Sequence, residues 1–337
     1  MPAGWTRWLD ALARRRRAGS TRQTARRVWS EAGLAGSRRS FAWIGAGRMG
    51  EAMCAHLLSA GHEGRVFSRT AARCAPLVEQ GALLCATPKE AALGVDVAFT
   101  CVGTPADVEA VTLGADGVLA GLRRGALLVD HTTSTPTLAK SLFERGAAAG
   151  VHVVDAPVSG GDVGARAGKL VIMVGGTAAA VGSARPLLDL FGASVHHMGE
   201  AGAGQHTKMA NQILACSNMV GMAESLLYAR EAGLDVEAVV RAIGSGAAGS
   251  WAVQNLGARA VAQRDFAPGF SIEHMEKDLG LALREAASLR LDLPGLAHAH
   301  RLYKGLLRRG HGKDGTQAIV LALEHAARGL TSPLDEV

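Results

Sequence analysis

The chain has little that would suit it to a membrane, a metal or a nucleic acid. Aromatic residues make up only 4% of its 337 positions, with two Tyr, so stacking platforms for bases are scarce. The cysteines number five and are scattered: Cys54, Cys74, Cys85, Cys101 and Cys216 form no CxxC pair and have no histidine at zinc spacing, so reduced thiols are expected. His196-His197 and the His298/His300 pair lack a third ligand at a recognisable spacing, and no metal is expected. No apolar run reaches the roughly 18 residues of a bilayer span. Even Met209 to Tyr228 is interrupted by Asn211, Gln212, Ser217, Asn218 and Glu224. A soluble chain without a membrane partner is expected, and with no apolar signal core near the start, secretion is not.

What is present is globular. Apolar residues are 48% and charged residues 20%, close to the averages for folded domains. A length of 337 residues exceeds what one hydrophobic core usually supports and favours two domains. The net charge of +6 is unevenly spread. Residues 1–40 hold ten arginines, no lysine, one aspartate and one glutamate, a net of +8, which leaves the other 297 residues at −2. The excess positive charge therefore belongs to a leader and not to the folded body. That leader, with Arg14 to Arg17 interleaved with Trp5, Trp8, Leu9, Leu12 and Trp29, is Arg-rich and acid-poor like an organellar transit peptide. Mitochondrial or other organellar targeting is expected on that reading, and a cytoplasmic location if the leader is a disordered or mis-started extension. A nucleic-acid arm is the least favoured reading.

From residue 41 short apolar runs alternate with longer amphipathic ones, as in βαβ units around a parallel sheet. Strands are expected at Phe41 to Gly45, Arg65 to Ser68, Val95 to Val102, Leu127 to Asp130, Val151 to Asp155 and Leu170 to Val174. After Gly204 the strand signals stop. A run from Gln205 to Ala232, free of Pro and containing only Gly221, predicts one helix of about 42 Å at 1.5 Å per residue, followed by helical periodicity to Leu330. The expected architecture is an α/β, Rossmann-type parallel-sheet domain (41–198) joined by a long helix to an all-α domain (199–330) for substrate and dimerisation, behind the leader (1–40).

The sharpest motif is Gly45-Ala-Gly47-Arg48-Met49-Gly50, directly after an expected strand and directly before a helix. In that context GxGxxG is a dinucleotide fingerprint: the first glycine makes the turn, the second admits a pyrophosphate, and the third lets helix and strand pack closely. Kinase and P-loop readings fail for want of their lysine motifs. About 20 residues on, where NAD-type sites place an acidic residue, the strand ends in Ser68-Arg69-Thr70. A guanidinium and two hydroxyls suit a 2′-phosphate, so NADP is preferred over NAD. Asp130-His-Thr132-Thr133-Ser-Thr-Pro136 and Asp155-Ala-Pro-Val-Ser159-Gly160-Gly161 each follow a strand at the carboxyl edge of the sheet, and the second offers an anion cradle. Lys208, Asn211, Gln212 and Asn218 fall on one face of the long, mostly apolar helix, a polar ridge that needs partners.

These motifs, GxGxMG, DxTT, DAPVSGG, GxGxxxKxxN and Lys277-Asp278-Leu279, together resemble the β-hydroxyacid dehydrogenase family over residues 41 to about 328. The family includes 3-hydroxyisobutyrate dehydrogenases and glyoxylate or succinic semialdehyde reductases, and it pairs a Rossmann domain with an all-α domain. The resemblance implies Lys208 as the catalytic proton donor or acceptor. It implies Ser159, Gly160 and Gly161 as binders of a substrate carboxylate, with Thr132, Asn211, Gln212, Phe270 and Asp278 as further substrate contacts. The cofactor set is Gly45, Gly47, Arg48, Met49, Gly50, Ser68, Arg69, Thr70, Val102, Gly103, Thr104, Asp107, Thr133 and Lys277. Gln212 departs from the second Asn of many members. A retained lysine at 208 argues against the related imine reductases. The implied function is hydride transfer between NAD(P) and a small 3-hydroxy acid or semialdehyde, in a homodimer or homotetramer. The alternatives are an NADPH-dependent glyoxylate or succinic semialdehyde reductase and, from another class, a non-catalytic scaffold with the basic arm as a nucleic-acid contact.

Overall fold

The computed structural model describes residues 39–327; the leader, apart from Arg39 and Ser40, lies outside them. Among the described residues all strands fall between Ser40 and Gly199 and build one nine-stranded sheet in the order β3-β2-β1-β4-β5-β6-β8-β7, with β9 on β8. The strands are β1 (Ser40–Ile44), β2 (Glu63–Phe67), β3 (Leu83–Leu84), β4 (Val97–Thr100), β5 (Leu127–Asp130), β6 (His152–Asp155), β7 (Val158–Ser159), β8 (Leu170–Gly175) and β9 (Gly192–Gly199). The half from β3 to β6 is parallel throughout. Its inner strands are buried on both faces, β4 and β5 at every position, which is why they read as continuous apolar runs without alternation.

Helices cover both faces: α1 (Arg48–Ser59), α2 (Ala75–Glu79), α3 (Pro88–Ala92), α4 (Pro105–Leu113), α5 (Pro136–Ala149), α6 (Gly161–Ala167) and α7 (Ala178–Leu188). One core, with Trp43, Phe99, Met53 and Phe191, lies on one side of the sheet, and a second, with Ile44, Ala98, Val108 and Leu142, on the other. The sheet departs from the expected all-parallel arrangement beyond β6, where β8 runs antiparallel to β6 and β7 before pairing in parallel with β9. The link from β7 to β8, residues 160–169 with the seven-residue α6 inside it, is shorter than a parallel crossover requires. β9 gave no sequence signal because it is an edge strand with only Val195 buried.

After Gly199 the fold is helical: α8 (Ala203–Glu231), α9 (Val236–Gly244), α10 (Trp251–Val261), α11 (Ile272–Ser288), α12 (Pro294–Arg308) and α13 (Ile319–Ala327). The 29-residue α8 is about 44 Å long. Its first turns pack on the sheet and its remainder runs through a third core with Met219, Leu226, Leu279 and Tyr303. The molecule is thus a Rossmann-type α/β domain and an all-α domain that share one helix. Among the described residues no helix is long and apolar enough to cross a membrane.

Candidate active site

The sheet's carboxyl edge and the start of α8 meet at one place. The turn after β1 depends on glycine twice: Gly45 sits at φ +103, where a side chain would strike the Cys101 carbonyl, and a Cβ on Gly50 would strike the Gly45 carbonyl. Gly47 differs, because a Cβ there would meet nothing within 4 Å. It is the N-cap of α1 and provides no side-chain cap, whereas Thr104, Thr135 and Thr177 cap α4, α5 and α7 through their hydroxyls. Unpaired amides at a helix start beside open space are what a pyrophosphate requires, so these residues fit a dinucleotide. Met49 packs against the core, and the exposed Arg48 reaches across to donate to the Pro268 carbonyl at 3.2 Å.

Along the groove, Ser68 is half-buried, while Arg69 and Thr70 are exposed. Arg69 Nη1 lies 2.7 Å from Asp107 Oδ1. The other oxygen, Asp107 Oδ2, accepts from the backbone N–H and hydroxyl of Thr104, closing a capping box on α4. Val102 N donates to Thr132 Oγ1 at 3.0 Å, which joins the loops after β4 and β5. From the helical domain Lys277 Nζ donates to the carbonyls of Gly103 (3.1 Å) and Thr133 (3.0 Å), so α11 is fastened to both loops.

Lys208 stands one and a half turns into α8 with only 7% exposure. Its Nζ donates to the Val158 carbonyl at 2.9 Å. Burial pulls its pKa down to about 8, against the pull of the Asp278 carboxylate upward, and Lys277 adds to the depression. Asn211 and Gln212 share its neighbourhood, but the Gln212 amide is already engaged: Nε2 donates to Asp278 Oδ2 at 2.7 Å and Oε1 accepts from Asn211 Nδ2 at 2.8 Å. Asp278 Oδ1 lies 2.9 Å from Lys277 Nζ in an ion pair without hydrogen-bond alignment. Asn218 lies about two turns beyond Asn211 on α8, about 10 Å along the axis, so the ridge contributes only its first three members here. Ser159, Gly160 (φ +131) and Gly161 (φ +63) form the adjoining turn, with the Gly269 carbonyl 3.9 Å from where a Gly161 Cβ would stand. Phe270 packs on the helical core beside His274, their rings 5.9 Å apart.

Several residues that hold the site together were quoted in the motifs without a role. Asp155, 4% exposed, accepts from the amides of Gly202 and Gln205 at 2.8 Å each. It caps α8 from about 50 residues away, and burial raises its pKa against those bonds. Gln205, fully buried, accepts from Ser134 N at 2.9 Å and donates to the Thr132 carbonyl at 2.8 Å. His131 packs against both Phe99 and Trp43, which are themselves stacked on each other, bonds the Ala156 carbonyl through Nδ1 at 2.7 Å, and is driven by burial to a pKa of about 4, so it is neutral. Asp130, which accepts from Thr100 Oγ1 and Thr132 N, is raised by burial to about 6. A usable sequence signal existed for Asp155: α8 opens on Gly-Ala-Gly with no Ser, Thr, Asp or Asn to cap it, so its amides had to find a partner elsewhere.

Among the described residues no group of three or more His, Cys, Asp or Glu is arranged to hold a metal. A surface cavity of about 330 Å³ lies on the outer side of α1, lined by Arg48, Glu51, His56 and Arg166 among others, and includes neither Lys208 nor Asp278.

Comparison with known proteins agrees with this geometry. Residues 40–199 match the family described as the NAD binding domain of 6-phosphogluconate dehydrogenase. Residues 202–323 match that described as NAD-binding of NADP-dependent 3-hydroxyisobutyrate dehydrogenase. The chain is 46% identical over 289 residues to the "probable 3-hydroxyisobutyrate dehydrogenase-like 1, mitochondrial" of Arabidopsis thaliana, covering 86% of each chain. It is 37% identical over 268 residues to the 3-hydroxyisobutyrate dehydrogenase of Pseudomonas aeruginosa, covering 78% of this chain and 90% of that one. The solved structure of Mycobacterium tuberculosis 3-hydroxyisobutyrate dehydrogenase with L-serine superposes with a TM-score of 0.78 at 31% identity, over 85% of this chain and 99% of that one. Sheet, long helix and matched sequence together place the chain in the β-hydroxyacid dehydrogenase family, as an NAD(P)-dependent oxidoreductase acting on CH–OH groups.

Proposed function

We propose that this protein interconverts a small 3-hydroxy acid and its semialdehyde, in the manner of 3-hydroxyisobutyrate dehydrogenase, with Lys208 as general acid and base. The observation that carries the reading is Lys208 itself, a buried amine aimed by one carbonyl, with a pKa of about 8. A group titrating near the working pH gives and takes a proton with comparable ease, and such help is worth roughly 10² to 10⁴ in rate. The nicotinamide, when bound, supplies or takes the hydride. Lys208 Nζ removes the hydroxyl proton of the substrate during oxidation and returns it during reduction. Ser159 and the amides of Gly160 and Gly161 bind the substrate carboxylate, and Thr132, Asn211, Gln212, Phe270 and Asp278 complete the pocket. Gly45 to Gly50 hold the pyrophosphate, Ser68, Arg69 and Thr70 the adenosine end, and Val102 to Thr104, Thr133 and Lys277 the nicotinamide end.

NADP is the preferred cofactor on the strength of Arg69, which also favours a second reading, an NADPH-linked reductase of glyoxylate or succinic semialdehyde using the same residues in the other direction. The non-catalytic scaffold has no observation in its favour. A homodimer or homotetramer is proposed, in the mitochondrion if the leader is cleaved there. L-Serine, named with the Mycobacterium tuberculosis structure, is itself a 3-hydroxy acid and belongs in the test panel. Absorbance of the reduced nicotinamide is followed with NADP+ and NAD+ against 3-hydroxyisobutyrate, 3-hydroxypropionate and L-serine, and with NADPH and NADH against glyoxylate and succinic semialdehyde. Turnover of a 3-hydroxy acid supports the first reading, turnover of the aldehydes alone supports the second, and turnover of none with cofactor bound would sink both.

A further inference from the structure

The order of strands makes one ion pair unusual. β2, β1 and β4 are consecutive neighbours in the sheet. Arg69 follows β2 and Asp107 lies in the first turn of the helix after β4. The glycine turn that takes the pyrophosphate follows β1, between them. An Arg69–Asp107 contact at 2.7 Å therefore crosses over the end of β1, along the line where the adenosine half of a dinucleotide must lie.

The two partners are not equally free. Asp107 is 18% exposed and its second oxygen is engaged by the Thr104 backbone and hydroxyl, so the carboxylate is fixed to the start of α4. Arg69 is 76% exposed and has only its own flexible stem to hold it. The carboxylate presents to the guanidinium an anionic, acceptor-only oxygen, as a phosphate would. The contact is an exposed one, which by itself contributes little to stability.

We propose that Asp107 is a selectivity residue for the cofactor: its carboxylate takes the place of the 2′-phosphate on Arg69 and must be displaced for NADP(H) to bind, which narrows the preference for NADP(H) over NAD(H). The idea rests on the dinucleotide groove described above and is independent of which substrate is turned over. NAD(H) carries a neutral 2′-hydroxyl, does not compete for the guanidinium, and is not repelled by the carboxylate left behind. NADP(H) gains the guanidinium and meets a fixed negative charge near its phosphate, so removing that charge favours it selectively.

The test measures dissociation constants, without turnover, by titrating NADPH and NADH into the full chain and following nicotinamide fluorescence. In Asp107→Asn, which keeps a side-chain oxygen for the capping box, the NADPH dissociation constant falls about five- to twentyfold while that for NADH stays within about twofold. The gain disappears when Asp107→Asn is combined with Arg69→Ala. Melting temperatures of the variants verify that α4 is intact. An unchanged ratio in Asp107→Asn overturns the proposal, as does equal tightening of both cofactors. Weaker NADH binding also overturns it, since Asp107 would then be an acceptor for the 2′-hydroxyl. If the wild type binds NADH more tightly than NADPH, the NADP preference fails while the role of Asp107 is still decided by the change of ratio.

Discussion

The two ends of the cofactor groove are built from different materials. At the lysine end, Asp155, Gln205, Thr132, His131 and Lys208 are all buried and joined largely by bonds in which a backbone group is one partner. At the adenosine end, Arg69 and Thr70 lie in solvent and the visible contact is a side-chain ion pair. Buried bonds to backbone are little screened and costly to leave unmade, whereas exposed pairs are cheap, salt-sensitive and easily exchanged. On the function proposed above, the reaction is set by the part of the site that tolerates least change, and the choice of cofactor by the part that tolerates most.

Four measurements bear on that contrast. The largest effect is expected from Lys208→Ala, which lowers kcat by roughly 10² to 10⁴ with the cofactor dissociation constant unchanged; a variant within a few-fold of wild type removes Lys208 from the mechanism. Next is Asp155→Asn. An amide supplies one acceptor for two buried N–H groups, so one of them, at about 1–3 kcal/mol, is left unpaired. Tm drops by several degrees and kcat falls roughly 10- to 100-fold as Lys208 shifts; wild-type kcat would show that the cap does not govern the lysine.

The third measurement is the pH profile. Lys208 must be neutral to accept a proton, so kcat/KM for oxidation rises about tenfold per unit below its pKa of about 8 and levels above it. Reduction needs the ammonium and declines above the same point. An inflection in the oxidation profile that survives in Lys208→Ala would assign it to another group. The smallest effect separates the two ends by salt: raising ionic strength from 0.05 to 0.5 M weakens NADPH binding several-fold more than NADH binding. Equal sensitivity of the two would place no selective charge at Arg69.

The same contrast explains what could be read from the chain alone. β1, β2, β4, β5, β6 and most of β8 were legible because each is an apolar run before a turn, and α8 because nothing breaks 28 residues of helical pattern. The glycine fingerprint and Lys208 were legible because their chemistry restricts residue type. β7, α6 and β9 were not, since two-residue and edge strands carry no periodicity and Gly161–Ala167 is too short to show one. Between β2 and β3 the chain forms a 3₁₀ turn, Ala71–Cys74, and then α2, split where Pro76 starts a new helix. The sequence places Gln212 beside Lys208 on the polar ridge, and only the coordinates show its amide bonded to Asp278 and Asn211. Partners 47 to 73 residues apart, as for Asp155 and Gln205, leave no local trace; what the sequence did contain was a helix start without a cap.

The clamp on Gln205 also gives α8 very unequal leverage. Lys208 is three residues from the clamp, about 4.5 Å along the axis, while Glu231 is 26 residues away, about 39 Å. If the helical domain tilts so that the far end moves by about 3 Å, the lysine end moves by about 0.3 Å, inside the roughly half-ångström tolerance of a productive geometry. Lys277, carried on α11, travels with its domain. A tilt of the helical domain would therefore leave Lys208 in register with the sheet and would be felt at the Gly103 and Thr133 carbonyls that Lys277 holds.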